Sequence, residues 1–141
     1  MASALEDLIG EVRLAFHQLK ATAELLHQDP DGLTASHRGV LESLHREGPR
    51  TVPDLARARP VSRQHIQVLV NRLLQLELVR TVPNPAHRKS PLIELTPAGA
   101  RRFEAMQRRE RRVLQAVARE LPEARVRAAA DTLSNLRALL R

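Results

Sequence analysis

Apolar residues recur at spacings of three and four over residues 5–27, which is the period of an amphipathic helix with one apolar face. Leu8, Val12 and Phe16 are typical members of this face. The segment 28–32 contains a proline and a glycine and cannot continue the helix. The pattern therefore predicts a long first helix at the start of the chain.

Three shorter helices are predicted next, and a residue that can cap a helix precedes each of them. The capping residues are Thr34, Thr51 and Ser62. Asp54 stands three residues after Thr51, as in a capping box. Pro60 keeps the residue before it out of the helical conformation, so a tight turn leads into a helix over about residues 63–76. Ile66, Val70 and Leu73 are predicted to face inward on that helix. Two helices joined in this way form a helix-turn-helix.

Two β-prone runs, residues 78–82 and 92–95, flank a polar, turn-forming segment at 83–91. They predict a hairpin with a basic tip. Thr96 caps the next helix, which is broken near Pro122, and a last helix follows. The pattern as a whole predicts a mainly α-helical fold with a small β-hairpin.

Composition narrows the classes of function. The chain has 141 residues, enough for one domain, and only Phe16 and Phe103 are aromatic. Binding of single strands by base stacking is poorly supported, because that mode needs flat side chains. The absence of cysteine excludes disulfides and thiolate metal sites. Without a signal peptide or a long apolar run, the chain is expected to act in the cytoplasm.

Charge is unevenly distributed over the chain, whose net charge is +7. Residues 1–30 have a balance of −3, whereas residues 46–90 contain nine basic and three acidic side chains. A polyanionic partner is expected for this basic middle segment, since neutralised phosphates release counterions. A merely solvated basic surface is the alternative.

Four blocks of residues between positions 33 and 99 together form a specific sequence pattern. They contain Leu33, Thr34, Val40, Leu41 and Leu44; Gly48, Pro49, Thr51, Leu55 and Ala56; Val61, Ser62, Arg63, Gln64, Leu73, Leu78 and Val79; and Asn84, Pro85, Arg88, Ser90, Leu92, Leu95, Thr96 and Gly99. In these residues the chain resembles the MarR family, the multiple-antibiotic-resistance type of winged-helix regulators.

The resemblance implies that residues 1–141 form a single MarR-type domain. A winged helix-turn-helix lobe would cover about 33–99, and helices in 1–30 and 100–141 would form a dimerisation region. It further implies a homodimer on an inverted-repeat operator in double-stranded DNA and, as is frequent in the family, release by a small organic effector. A repressor is expected, with an activator as the alternative. An architectural duplex-binding protein without sequence preference is the alternative, but the ordered polar set from Ser62 to Gln67 favours base reading.

Two residues depart from the family pattern. His87 precedes Arg88 where the family commonly has Asp, so the usual carboxylate support for the arginine is missing. Glu77 stands where the family usually has Gly, which indicates a local difference at the exit of the helix-turn-helix.

The first turns of the helix over residues 63–76 contain candidates for contact with base edges. They are Ser62, Arg63, Gln64, His65 and Gln67. Arg63 can bind guanine through two hydrogen bonds, and Gln64 or Gln67 can bind adenine. Asn71 and Arg72 are candidates for phosphate contact. The alternative is that Ser62 is only a cap and that the others form a solvated face.

Arg88 at the hairpin tip is the candidate for the minor groove, because narrow grooves attract a guanidinium. His87, Lys89 and Ser90 would support it through phosphates, and the alternative is a mobile loop charge. Further candidates for backbone contact begin the second helix. These are Thr34, His37 and Arg38.

Other polar clusters are given weaker roles. Phe16 and His17 are candidates for lining a ligand pocket, against the simpler interpretation of a core Phe and an exposed His. The basic run after Thr96 is predicted to be mostly a solvated helix face; it comprises Arg101, Arg102, Arg108, Arg109, Arg111 and Arg112. The six His residues show no metal-ligand spacing, and no triad or Gly-rich loop is present, so neither a cofactor, a metal nor catalysis is expected.

Overall fold

The computed structural model describes residues 3–26 and 29–140. Its elements in chain order are α1 (Ala4–Leu26), α2 (Ala35–Glu47), β1 (Arg50–Thr51), α3 (Val52–Ala58), α4 (Arg63–Gln75), β2 (Val79–Val82), β3 (Leu92–Leu95), α5 (Pro97–Ala118) and α6 (Glu123–Leu139). The mainly helical fold with a small β wing is as predicted. The chain divides into two compact units, Met1–Gln107 and Arg108–Arg141.

Side-chain hydroxyls cap α1, α3, α4 and α5, and at α1 the Ser3 hydroxyl accepts a hydrogen bond from the Glu6 backbone N–H (3.1 Å). The hydroxyl of Thr51 accepts a hydrogen bond from the Asp54 backbone N–H (3.2 Å), and that of Ser62 accepts one from His65 (3.0 Å). Thr96 caps α5 in the same way. These caps satisfy N–H groups that have no partner within the helix. The prediction of a full capping box at Thr51 is wrong in one respect, since the Asp54 carboxylate accepts from Arg57 instead.

The hydrophobic core lies in the first unit and joins α2, α3, α4, the sheet and the start of α5. The predicted inward face of α4 is confirmed, because Ile66, Val70 and Leu73 are fully buried, as are Val40 and Leu41 of α2. Phe103 of α5 is also buried there, with the His45 ring 4.8 Å from its own. The burial of Ile66, Val70 and Leu73 fixes which face of α4 points away from the protein.

The sheet has three antiparallel strands in the order β1-β3-β2, whereas the sequence predicted only a two-stranded hairpin. The hairpin strands are confirmed, and Val79 pairs with Leu95. The added strand β1 pairs Arg50 with Ile93 and Thr51 with Leu92. A strand of two residues cannot show an alternating pattern, which explains why it was missed. Its pairing ties the start of α3 to the wing.

The exit from α4 accommodates Glu77 in a glycine-like conformation. Its φ is +58°, the left-handed region that glycine adopts most easily. Glu77 N–H donates to Leu74 O and Leu78 N–H to Leu73 O, both at 3.0 Å, which is the Schellman pattern of a helix end. The end of α4 therefore has standard geometry, although Glu77 is poorly suited to the left-handed conformation that this geometry requires.

Both ends of the chain expose apolar residues. In α1, Leu5, Val12, Phe16 and Leu19 are exposed, so the predicted apolar face is not covered by the chain itself. In the second unit the exposed residues are Leu114, Val117, Leu121, Val126, Leu139 and Leu140. Among the described residues, no helix has the length and apolar character needed to cross a membrane.

Candidate nucleic-acid interface

The first turns of α4 present the predicted polar residues on the surface. Ser62 is its N-cap residue, and Arg63, Gln64, His65 and Gln67 are all exposed. Ile66 and Leu69, between and after them, are buried in the core. The backbone of this polar face is therefore held by burial on its other side.

The centre of the exposed face is a line of residues at helical spacing, Gln64, Val68 and Asn71. The Gln67 amide Nε2 donates to Asn71 Oδ1 at 2.8 Å, which links two polar side chains on this face. Val68 is 60% exposed and was not among the predicted site residues. Its position four residues after Gln64 was the available signal.

Arg72 lies at the edge of this face and is bound within the chain. Its guanidinium donates to the backbone carbonyl of Asp31 (3.0 Å) and to Gln75 Oε1 (2.9 Å). The side chain thus joins α4 to the loop before α2, which is a role that the sequence did not predict.

The loop that receives Arg72 is itself held by an ion pair from α5. Arg102 donates to Asp29 Oδ1 (2.6 Å) and to Asp31 Oδ2 (2.7 Å). Arg102 was predicted to belong to a solvated cationic face, and this is wrong for that residue. The two partners are 73 and 71 positions apart in sequence, so no local pattern could indicate the pairs.

Asp29 is held in its ionised form. Its side chain is only 4% exposed, and burial opposes ionisation. Hydrogen bonds from Arg102 and from the backbone N–H groups of Leu33 and Asp31 outweigh that effect and lower the pKa of Asp29 below its usual value. The loop therefore depends on a negative charge at Asp29.

The candidates at the start of α2 differ in their exposure. Thr34 is exposed, and its backbone N–H donates to His37 Nδ1 at 3.0 Å. Since Nδ1 accepts this bond, it carries no proton; burial, with a smaller contribution from Arg72, lowers the pKa of His37. Arg38 points inward, where its guanidinium contacts Glu42 (3.1 Å) and lies 5.4 Å from the Phe103 ring centroid.

The wing tip connects β2 and β3 and exposes His87, Arg88 and Lys89. Asn84 braces the loop from one side: its Oδ1 accepts from Ala86 N–H (3.1 Å) and its Nδ2 donates to Ser90 O (3.0 Å). This brace was missed, although Asn before a turn commonly bonds to the backbone that follows. These two hydrogen bonds hold the backbone on either side of Arg88.

Phe16 and His17 lie together on α1, with ring centroids 5.6 Å apart in an edge contact. Phe16 is 62% exposed, so the simpler interpretation of a core residue is wrong. In the part of the chain that the structure describes, no three His, Asp or Glu side chains are grouped so that they could hold a metal ion.

A helix-turn-helix with an exposed polar second helix, followed by a hairpin with a basic tip, defines a winged helix-turn-helix protein. Residues 31–90 match the MarR family. The chain belongs to the MarR family, and the relatives NicR and SP03579, described below, are named transcription regulators.

Two curated relatives match about two thirds of the chain. The HTH-type transcriptional repressor NicR of Pseudomonas putida is 33% identical over 95 residues, 67% of this chain and 60% of NicR. The transcriptional activatory protein BadR of Rhodopseudomonas palustris is 32% identical over 100 residues, 64% of this chain and 57% of BadR. The chain thus spans about 60% of the length of the relatives it matches.

Solved structures share the fold over most of the chain. The MarR family transcription regulator SP03579 has a TM-score of 0.80 at 23% identity and covers 96% of this chain and 89% of its own. MepR of S. aureus, solved in a complex with DNA, has 0.72 at 20% identity, with 92% and 95% covered. BpsR of Bordetella bronchiseptica, described with regulation of its DNA binding by 6-hydroxynicotinic acid, has 0.68 at 22%, with 89% and 98% covered.

Proposed function

We propose that this chain is a sequence-specific regulator of transcription that binds double-stranded DNA as a homodimer on an inverted-repeat operator. The observation that carries the proposal is the exposed polar face of α4, which the buried residues Ile66, Val70 and Leu73 hold away from the core. A helix about 10–12 Å wide fits a major groove about 12 Å wide. The polar residues of the first turns would then meet base edges.

The wing supplies the second contact. Arg88 would enter the neighbouring minor groove, while Lys89, His87 and Ser90 contact phosphates. Thr34, at the start of the neighbouring α2, would contact the phosphate backbone of the DNA. Since Arg72 and Arg38 are bound within the chain, they would act by holding α4 and α2 in place.

Dimerisation would cover the apolar residues that the single chain leaves exposed. These lie on α1 and, separately, in the second unit. Burial of such surfaces is the main favourable contribution to association of subunits. A two-fold pair presents two copies of α4, and a palindromic operator matches that symmetry.

We further propose that the regulator is a cytoplasmic repressor released by a small organic effector. NicR is named a repressor, and BpsR is described with regulation of its DNA binding by an organic acid. Phe16 and His17 would line the effector pocket. BadR is named an activator, so a transcription assay with and without the protein must decide the sign of regulation.

The test begins with selection of bound fragments from the source genome, followed by footprinting against excess random DNA. A protected palindrome is expected. Insertion of half a helical turn between the half-sites should abolish tight binding, because the dimer fixes their separation. Equal affinity for selected and random duplexes would instead identify an architectural DNA-binding protein.

A further inference from the structure

The recognition surface of α4 contains one apolar side chain at its centre. Val68 is two residues from both Ile66 and Val70, so at about 100° per residue it points away from the core that they occupy. Its 60% exposure agrees with that direction. A single exposed valine carries no meaning by itself. Val68 is informative because it lies between two amide side chains, on the face of α4 that we propose meets base edges.

The neighbours of Val68 limit what it can contact. Gln64 precedes it by four residues and Asn71 follows it by three, so both are its neighbours on the helix surface. Gln and Asn are the side chains that bind adenine through two hydrogen bonds in the major groove. The only apolar group that a base pair presents in that groove is the thymine 5-methyl group.

We propose that Val68 is a specificity-determining residue that recognises a thymine methyl group beside the base that Gln64 reads. This inference rests on the proposed function, since it assumes that α4 enters the major groove. Val68 offers two methyl groups and no hydrogen-bonding atom. A cytosine at the same position would place its amino group against that apolar surface and lose a partner for its donor.

The test compares thymine with deoxyuracil, which differs only by the missing methyl group. Each thymine of the selected operator half-site is replaced in turn, and the full-length protein is titrated against each duplex. Wild type should lose about fourfold in affinity per half-site at one position, corresponding to about 0.8 kcal/mol for one buried methyl-sized group. For Val68→Ala, which removes both γ-methyl groups, the same replacement should have little effect, whereas Val68→Thr, which keeps one of them, should retain part of it.

Val61→Ala is the matched control. Val61 is also exposed, at 40%, but it precedes the Ser62 cap and does not belong to the line from Gln64 to Asn71. This variant should keep the full sensitivity to deoxyuracil. Sensitivity that survives in Val68→Ala, or that disappears in Val61→Ala instead, would overturn the assignment, as would a wild-type protein indifferent to every thymine methyl. A protein that selects no operator at all would refute the proposed function and this inference with it.

Discussion

The two parts of the candidate interface, α4 and the wing tip, are held in different ways. One face of α4 is buried in the core, Ser62 caps its start, and Arg72 ties its last turns to the loop at Asp31. The wing tip, in contrast, is held by hydrogen bonds within its own loop, most of them to Asn84. The comparison suggests a division of labour: a rigid helix suits base reading, whereas a locally braced loop suits contact with the phosphate backbone and the minor groove.

The strongest way to break this comparison is to remove a core anchor of α4. Ile66→Ala should lower the free energy of unfolding by about 2–5 kcal/mol, because it deletes fully buried methyl groups and leaves a cavity. Urea unfolding measures the change. Val68→Ala, on the opposite face, is the control and should alter stability by about 0.5 kcal/mol or less. Similar losses of stability in the two variants would mean that the faces of α4 do not differ in their contribution to the core.

Arg72 ties α4 to the loop at Asp31, and this loop depends on the charge of Asp29. Asp29→Asn should cost about 1.5–3 kcal/mol at pH 7, since hydrogen bonds to a charged group are lost. The folded pKa of Asp29 is lowered, so its contribution is fully present above its unfolded pKa of about 4 and is lost as the pH falls through the folded value.

Urea unfolding at pH 7 and at about pH 2–3 tests this assignment. The difference between wild type and Asp29→Asn should shrink at the lower pH. Asp54→Asn, which alters a surface pair with Arg57, should show a smaller effect at both. A difference for Asp29→Asn that does not depend on pH would refute the role of its charge.

Substitutions in the two regions should change DNA binding in different ways. Arg63→Ala should relax discrimination at one base position by about 1–3 kcal/mol, whereas Lys89→Ala should weaken all duplexes alike and flatten the salt dependence by about one unit. Affinities on a panel of single-base operator variants at several salt concentrations separate the two effects. Equal losses on specific and random DNA for both variants would contradict the division of labour.

The local brace of the wing can be removed without touching a basic residue. Asn84→Ala should lower stability by about 1 kcal/mol and weaken operator binding, since Arg88 loses its fixed position. Arg88→Ala is the reference, and the double variant should bind no more weakly than Arg88→Ala alone. Additive losses would mean that Asn84 acts on DNA independently of Arg88.

The smallest expected effect is at the exit of α4. Glu77→Gly should raise the free energy of unfolding by up to about 1 kcal/mol, because glycine adopts the left-handed conformation without a Cβ clash. Gln18→Gly, at an exposed position in the middle of α1, should instead lower it by about 1 kcal/mol. Thermal or urea unfolding of both variants would show whether the two changes have opposite signs.

Local patterns were sufficient to predict the helices, the turn at Pro60 and the hairpin, because each of these depends on residues close in sequence. The predictions failed where distant residues meet. The bonds from Arg102 to Asp29 and from Arg72 to Asp31 join different elements, and β1 exists only because β3 lies beside it. Val68 was not among the predicted base-reading residues, because that prediction rests on side chains that form hydrogen bonds.

The double role of Thr51 has a consequence for the operator. This residue pairs with Leu92 in the sheet and also caps α3, so the wing strand and the helix-turn-helix share one backbone junction. In the proposed complex, the separation between the two grooves that one subunit occupies would therefore be set by the protein, and the duplex would have to adjust to it. Base pairs that no side chain touches should then influence affinity through their stiffness, with flexible pyrimidine–purine steps favoured where the helix has to bend.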